Sequence, residues 1–307
     1  MASRRVALIG LGGTALAAWV AIFFAIAVAM PLASAEGGAV AKGSDSGAVV
    51  PRGDLLVSSI SGHLRVVDRR GHLGRRLDGR FGRFGPQAMA LAPDRRHAFI
   101  SVPRGERSPV LYEVSLATGR RLRIGGAISP ALSPSGRRLA FIGVQDRNGI
   151  TYKTELVVED LRTGEVRSIR IGSGVVMGTP PDNTLSWSPS ERRIAIEEGI
   201  RTRLVDVATA STVSSQPALP KGAEAAGYLR EHLVVALVNC CGGPSRLDAI
   251  DPRSGAERPF ATISSPPEGV ERLNRRHLLI VDAETELAVV SRDHVRVIAK
   301  RIAAATA

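Results

Sequence analysis

From Arg52 onward, short apolar runs alternate with polar turns, and one phrase recurs six times. A basic residue, then a basic or variable one, precedes an apolar strand. The copies read Arg52-Gly53-Asp54-Leu55-Leu56-Val57, Arg95-Arg96-His97-Ala98-Phe99-Ile100 and Arg137-Arg138-Leu139-Ala140-Phe141-Ile142. The others are Arg192-Arg193-Ile194-Ala195-Ile196, Arg230-Glu231-His232-Leu233-Val234-Val235 and Arg275-Arg276-His277-Leu278-Leu279-Ile280. Their spacings are 43, 42, 55, 38 and 45 residues. A period of about 40–50 residues built from short strands is the signature of propeller blades. No long amphipathic helical period interrupts the array, which argues against a mixed α/β fold.

Turns punctuate each unit in the same places. Three copies follow a proline turn: Leu91-Ala92-Pro93-Asp94, Leu132-Ser133-Pro134-Ser135-Gly136 and Trp187-Ser188-Pro189-Ser190. Proline with Asp, Ser or Gly pre-sets a tight connection between two strands. A second hairpin turn ends on glycine, as in Leu116-Ala117-Thr118-Gly119, Asp160-Leu161-Arg162-Thr163-Gly164 and Asp251-Pro252-Arg253-Ser254-Gly255. Glycine tolerates positive φ there, and the Asp can accept from the turn backbone. Each unit therefore predicts an inner strand, a proline turn, a second strand, a loop, a third strand, a glycine turn and an outer strand. The expected architecture is an all-β, six-bladed β-propeller of four-stranded blades spanning 52–307. Five inner strands are visible, among them Ala88–Leu91, Ala131–Ser133, Leu185–Trp187 and Ala225–Tyr228. The sixth is expected near residues 46–51 or is absent.

The N-terminus has a different pattern. Arg4 and Arg5 precede Val6 to Met30, 25 residues without charge. About 20 apolar residues suffice to cross a bilayer core as a helix. Pro31 follows, then Ala33-Ser34-Ala35, a small-x-small cleavage pattern. Residues 1–35 thus read as a transmembrane signal-anchor or, if cut after Ala35, as a signal peptide. Either places the rest outside the cytoplasm, because Arg4 and Arg5 stay inside. Residues 36–51, rich in Gly, Ala, Ser and Val, read as a flexible linker. Gly10-Leu11-Gly12-Gly13 lies inside the apolar run and lacks the Lys-Ser or Lys-Thr of a phosphate loop.

The phrase x-[Trp/Leu]-Ser-Pro-x-Gly-x-x-[Leu/Ile]-Ala-[Phe/Ile] resembles the WD40-like repeat of the TolB-type propeller family. The likeness is best at 129–142 and 184–196, fair at 89–100 and faint in the other three units. It implies a six-bladed propeller of the cell envelope that serves as a protein-interaction scaffold. TolB works with a periplasmic lipoprotein and carries an extra N-terminal domain, for which this chain leaves no room. Similar propellers precede the hydrolase domain of prolyl-oligopeptidase-type enzymes, but no Gly-x-Ser-x-Gly elbow occurs here.

Charge and candidate chemistry refine this picture. The formal net charge is +12, carried almost wholly by arginine. In a blade whose strands alternate direction, the proline and glycine turns share one end of the disc. Arg95, Arg96, Arg137, Arg138, Arg192, Arg193, Arg275 and Arg276 fall there and define a possible membrane-facing basic end. Each cation near an anionic surface contributes about 1 kcal/mol; the plainer role of such arginines is to keep blade edges soluble. The opposite end carries the long connections 102–110, 143–154, 172–183, 214–224, 239–246 and 263–270. Arg104, Arg107, Asp146 and Arg147 mark them as a partner-facing loop surface for a protein or peptide. Basic residues without aromatic interleaving, on an exported chain, argue against a nucleic-acid partner.

Cys240 and Cys241 are the only cysteines and are adjacent. Oxidised outside the cytoplasm, they could close a vicinal disulfide acting as a redox switch, or staple a loop, or stay as two thiols. There is no Cys-x-x-Cys or zinc pattern. His97, His232 and His277 occupy one repeat position, as turn residues rather than ligands of one metal. Trp187 is expected to pack between blades beneath its proline turn. No catalytic, cofactor or metal residues are assigned. The expected function is a non-enzymatic, envelope-tethered interaction scaffold. The alternative is a propeller enzyme of lactonase or quinoprotein type with its site at the central channel, which needs polar groups on the inner strands.

Overall fold

The computed structural model describes residues 50–306 except 69, 82–84, 105–106, 147–151, 173–184, 199–200, 213–222, 231–232, 238–243, 252–253, 274–275 and 283. These residues form 24 strands in six four-stranded antiparallel sheets, each a blade. The second blade shows the pattern: β4 (Ala88–Leu91) is innermost, then β5 (His97–Arg104), β6 (Arg107–Ser115) and β7 (Arg121–Gly125) outermost. The third holds β8 (Ala127–Leu132), β9 (Arg138–Asp146), β10 (Tyr152–Asp160) and β11 (Val166–Gly172). The fourth holds β12 (Leu185–Trp187), β13 (Arg193–Glu198), β14 (Arg201–Asp206) and a two-residue β15 (Ser211–Thr212). The fifth holds β16 (Ala223–Tyr228), β17 (Leu233–Leu237), β18 (Ser245–Ile250) and β19 (Glu257–Ile263). The sixth holds β20 (Pro267–Arg272), β21 (Leu278–Asp282), β22 (Glu286–Ser291) and β23 (His294–Lys300).

The first blade departs from the expectation. Its outer three strands are β1 (Leu55–Ser59), β2 (His63–Val67) and β3 (Leu73–Arg80), but its innermost strand is β24 (Ile302–Thr306). The strand sought near 46–51 comes from the other end of the chain. β24 pairs antiparallel with β1 through Leu56↔Thr306, Val57↔Ala305 and Ser58↔Ala304. Val50 instead lies against the second blade, its N–H bonded to the Arg95 carbonyl at 3.1 Å. Inner strands touch in cyclic order: β24 on β4, then β8, β12, β16 and β20, with β21 returning to β24. Among the described residues no helix is long and apolar enough to cross a membrane; residues 1–35 and the linker lie outside them up to Val50.

Packing explains the apolar runs. A blade is covered on both faces by its neighbours, so its strands need not alternate. All five residues of β21 are buried, as are Leu55 to Ser58 of β1. Ile142, Leu156, Ile194 and Val205 join the third and fourth blades, and Leu56, Leu64, Ala98 and Ile100 join the first and second. Burial of each leucine, isoleucine or valine among them is worth about 1.5–3 kcal/mol.

The recurring turns do what their residues dictate. Gly119, Gly164 and Gly255 each donate at 2.8 Å to the carbonyl four residues back. Asp160 accepts from the N–H groups of Arg162 and Thr163, and Asp206 from those of Ala208 and Thr209. These bonds, led by that from Thr163 to Asp160 and from Thr209 to Asp206, hold both carboxyls below the usual range. In the proline turns the third residue takes positive φ: Arg95 at 56°, Gly136 at 69°, Glu191 at 57°. That residue also reaches back to the preceding blade. Arg95 Nε donates to the Val50 carbonyl at 2.9 Å, and Glu191 accepts from the Ser135 N–H. Gly136 sits so close to Pro93 that a Cβ would lie 1.9 Å from the proline Cγ.

Burial, followed by the nearby Glu113 carboxylate, raises the Glu159 carboxyl. A raised acid destabilises the fold while it must be charged, above its folded pKa. The penalty fades as pH falls toward the ordinary glutamate value of 4.5. Glu159→Gln is therefore expected to raise the thermal midpoint at pH 7, with the gain shrinking towards pH 4.5 and vanishing below it. A midpoint unchanged or lowered at pH 7 refutes this.

Candidate functional site

The inner strands enclose an open cavity of about 350 Å³, lined from β4, β8, β12, β20, β21 and β24 and from the first two proline turns. Met89, Leu91, Leu132, Trp187 and Val270 give it apolar walls, and Pro93, Pro134 and Ser135 form part of its mouth. Two charged residues, Glu271 and Arg272, also line it. Thr306 fixes Glu271: its Oγ1 donates to Glu271 Oε1 at 3.0 Å and accepts from the Leu91 N–H at 3.1 Å. Trp187 Nε1 donates to the Ala131 carbonyl at 3.0 Å, and Ser186 Oγ accepts from the Tyr228 N–H. The channel wall is thus cross-linked from blade to blade by buried side chains.

Apolar inner strands describe the second, third and fourth blades. They miss β20, whose Pro267-Glu268-Gly269-Val270-Glu271-Arg272 carries the channel charges. The signal was present: β20 ends three residues before Arg275, and the inner strands of the second to fifth blades end two to five residues before their own basic phrases. Thr306 was hidden because its partners are far away in sequence.

The turn-end arginines are not equivalent. Arg96, Arg137, Arg192 and Arg276 are exposed, whereas Arg95, Arg138 and Arg193 are half-buried. Arg95 is committed to backbone carbonyls of Val50 and Asp54, and burial, the largest influence on it, lowers its pKa. Arg275 lies outside the described residues. Arg138 and Arg192 line a second groove of about 380 Å³ between the third and fourth blades, with Asp160, Glu165, Arg167 and Glu191. Acids match arginines within this groove. His97 Nδ1 lies 2.6 Å from Asp94 Oδ2 within its own turn, a turn role as expected.

At the opposite end, parts of the expected loops are strand. β5 runs to Arg104 and β6 starts at Arg107, so 102–110 is mostly hairpin; β9 runs to Asp146 and β10 starts at Tyr152. The second and third strands simply extend towards each other, because their ladder continues as Val102↔Val110 and Val144↔Thr154. Residues 264–266 alone separate β19 from β20. Arg147, Cys240 and Cys241 lie outside the described residues.

Charge is sorted by radius instead. On the outermost strands β3 carries Arg75, Arg76 and Arg80, β7 carries Arg121 and Arg123, and β11 carries Arg167 and Arg170. β19 adds Arg258, and β23 adds Arg296 and Lys300. The outer strands thus hold ten cations against two acids, Asp78 and Glu257. Arg121 also stacks 4.0 Å over the buried Phe81 ring of the first blade.

Among the described residues, no group of three His, Cys, Asp or Glu is placed to hold a metal ion. No family model and no curated protein matches the chain. Solved structures do. TolB from Acinetobacter baumannii superimposes with a TM-score of 0.56 at 15% identity, over 79% of this chain and 64% of that one. The chain therefore spans just under two thirds of that TolB. A putative TolB from Agrobacterium tumefaciens gives 0.52 at 11% identity, over 80% and 88% of the two chains. An oligogalacturonate lyase in complex with manganese gives 0.50 at 14% identity, over 78% and 70%. The fold is that of a TolB-like all-β propeller, and at these identities the likeness speaks for the fold alone.

Proposed function

We propose that this chain is an extracytoplasmic, envelope-tethered propeller that acts without catalysis, binding a protein partner at the proline-turn mouth of its channel. The apolar run Val6 to Met30 supplies the tether, and the TolB-like fold is consistent with an envelope scaffold. The observation that carries the reading is the mouth itself. A concave opening of about 350 Å³ with apolar walls, prolines at its lip and one Glu–Arg pair offers burial for a protruding side chain or chain end.

Photo-crosslinking in native membranes tests it. A benzophenone residue at Ser135, on the lip, is expected to give discrete protein adducts, while one at Thr163, an exposed glycine-turn residue outside the cavity, is expected to give none. Identical adduct patterns, or no adduct at Ser135, would sink the proposal.

The alternative, an enzyme working at the channel, rests on Glu271 and Arg272. A stoichiometric metal in elemental analysis of the purified full chain would favour it over the scaffold.

A further inference from the structure

We infer that the perimeter of the propeller is a binding surface for a linear polyanion, a chain bearing phosphate or carboxylate groups, that follows the outer strands from blade to blade. The radial sorting of charge is the basis. Outer strands carry ten cations and two acids, whereas the eighteen strands inside them carry ten cations and fourteen acids. Over the whole chain the ratio is only 41 to 29.

Edge protection alone does not account for this. Edge protection favours lysine among the charges, yet nine of these ten cations are arginine, whose flat fork matches phosphate and carboxylate groups. Arg167 pairs with Glu165 and Lys300 with Glu286, but not all of these cations are neutralised. On the contiguous arc of the first three blades, Arg75, Arg76, Arg123 and Arg170 are exposed and have no side-chain partner among the described residues. The same three strands expose Leu73, Leu122 and Val166, at 51, 48 and 39%. Free guanidinium forks beside apolar side chains suit an anionic chain with an organic or phosphate backbone.

The ring geometry selects a polymer over a bilayer. Cations occur on the outer strands of five blades, and only β15, Ser211–Thr212, has none. A flat surface meets one or two neighbouring blades edge-on; a flexible chain can engage several. Clustered cations of one sign raise the local concentration of such a ligand and make its binding salt-dependent.

Two variants with the same change in net charge provide the test, as full chain in neutral detergent. The perimeter variant is Arg75→Glu, Arg76→Glu, Arg123→Glu, Arg170→Glu. The turn-end variant is Arg70→Glu, Arg96→Glu, Arg137→Glu, Arg162→Glu, all exposed residues. Affinities for long-chain polyphosphate, polyglutamate and inorganic triphosphate are measured against salt by fluorescence anisotropy. The perimeter variant is expected to bind the polymers at least about tenfold more weakly with a shallower salt slope, and the turn-end variant to stay within about threefold of wild type. The long polymer is expected to outbind triphosphate. Preference between the two polymers identifies phosphate or carboxylate as the recognised group. Equal losses in both variants reduce the effect to net charge and overturn the inference. So does an unaffected perimeter variant, no polymer binding by wild type, or triphosphate binding as tightly as polymer. Should circular dichroism show the glutamate variant unfolded, the corresponding Arg→Gln variant is read by the same criteria.

Discussion

Removing residues 302–307 is expected to abolish the cooperative thermal transition of the propeller. Those residues contain β24, the innermost strand of the first blade, and its loss exposes the edge of β1. The damage spreads to three blades. Ile302, Ala304 and Thr306 are all at least nine-tenths buried. Thr306 joins the Leu91 N–H of the second blade to the Glu271 carboxylate of the sixth. Ala304 packs in the cluster shared with the second blade, and Ile302 in the one shared with the sixth. At that seam β24 acts together with the apolar cluster of Leu55, Val57 and Val67 on Leu279, Val281 and Leu287, which its loss would lay open. Repeat arrays depend on each interface, so an open ring leaves two blade faces in water. Circular dichroism should retain β signal but lose its sharp melt, with dye binding to exposed apolar surface. A permuted chain that places the same six residues before Val50 should restore the melt, because the strand rather than the chain end is needed. A truncated protein that melts within a few degrees of the parent contradicts this account.

Trp187→Ala is expected to be the most costly single substitution in the channel wall. Trp187 is only 5% exposed and packs with Ile128, Leu185 and Ile194 between the third and fourth blades. Truncating a buried tryptophan to alanine costs about 3–5 kcal/mol. Its Nε1 also satisfies the Ala131 carbonyl on β8, a bond from one blade to the next. Trp187→Phe separates the two contributions. It keeps most of the apolar volume and loses the donor, for an expected cost of about 1–3 kcal/mol. Denaturant unfolding followed by circular dichroism is the proper measurement, since Trp187 is the single tryptophan after residue 19. Equal losses for alanine and phenylalanine would assign the stabilisation to the hydrogen bond. A loss below about 1 kcal/mol for both would refute the interblade role.

Several expectations share one physical origin. Residues that reach across to another blade do so at the turn ends and on the inner strands, where adjacent blades converge. Arg95, Gly136 and Glu191 occupy one turn position, with three different side chains, and all three contact the preceding blade. The position is defined by its positive φ rather than by a residue type. That is why a motif read for glycine finds it in one blade and misses it in two.

Local chemistry was legible in the residues themselves. Pro93, Pro134 and Pro189, Gly119 and Gly164, and the apolar runs beginning at Ala98, Leu139 and Ile194 specify turns and strands through short-range preferences, and their recurrence announces blades. What lay beyond reading were relations between residues distant along the chain. Nothing in Ile302-Ala303-Ala304-Ala305-Thr306 says that it pairs with Leu56; only closure of the ring, which leaves β1 without an inner neighbour, selects it. The placement of Glu271 and Arg272 in the channel follows from which strand ends up innermost. The arginines read as one basic end differ among themselves, Arg95 being committed to backbone carbonyls while Arg96 and Arg137 are exposed, and a separate set on the outer strands makes a charged perimeter, because strand order sets radius. Backbone preference acts within a few residues, whereas the seam, the channel and the rim exist only once all the blades have met.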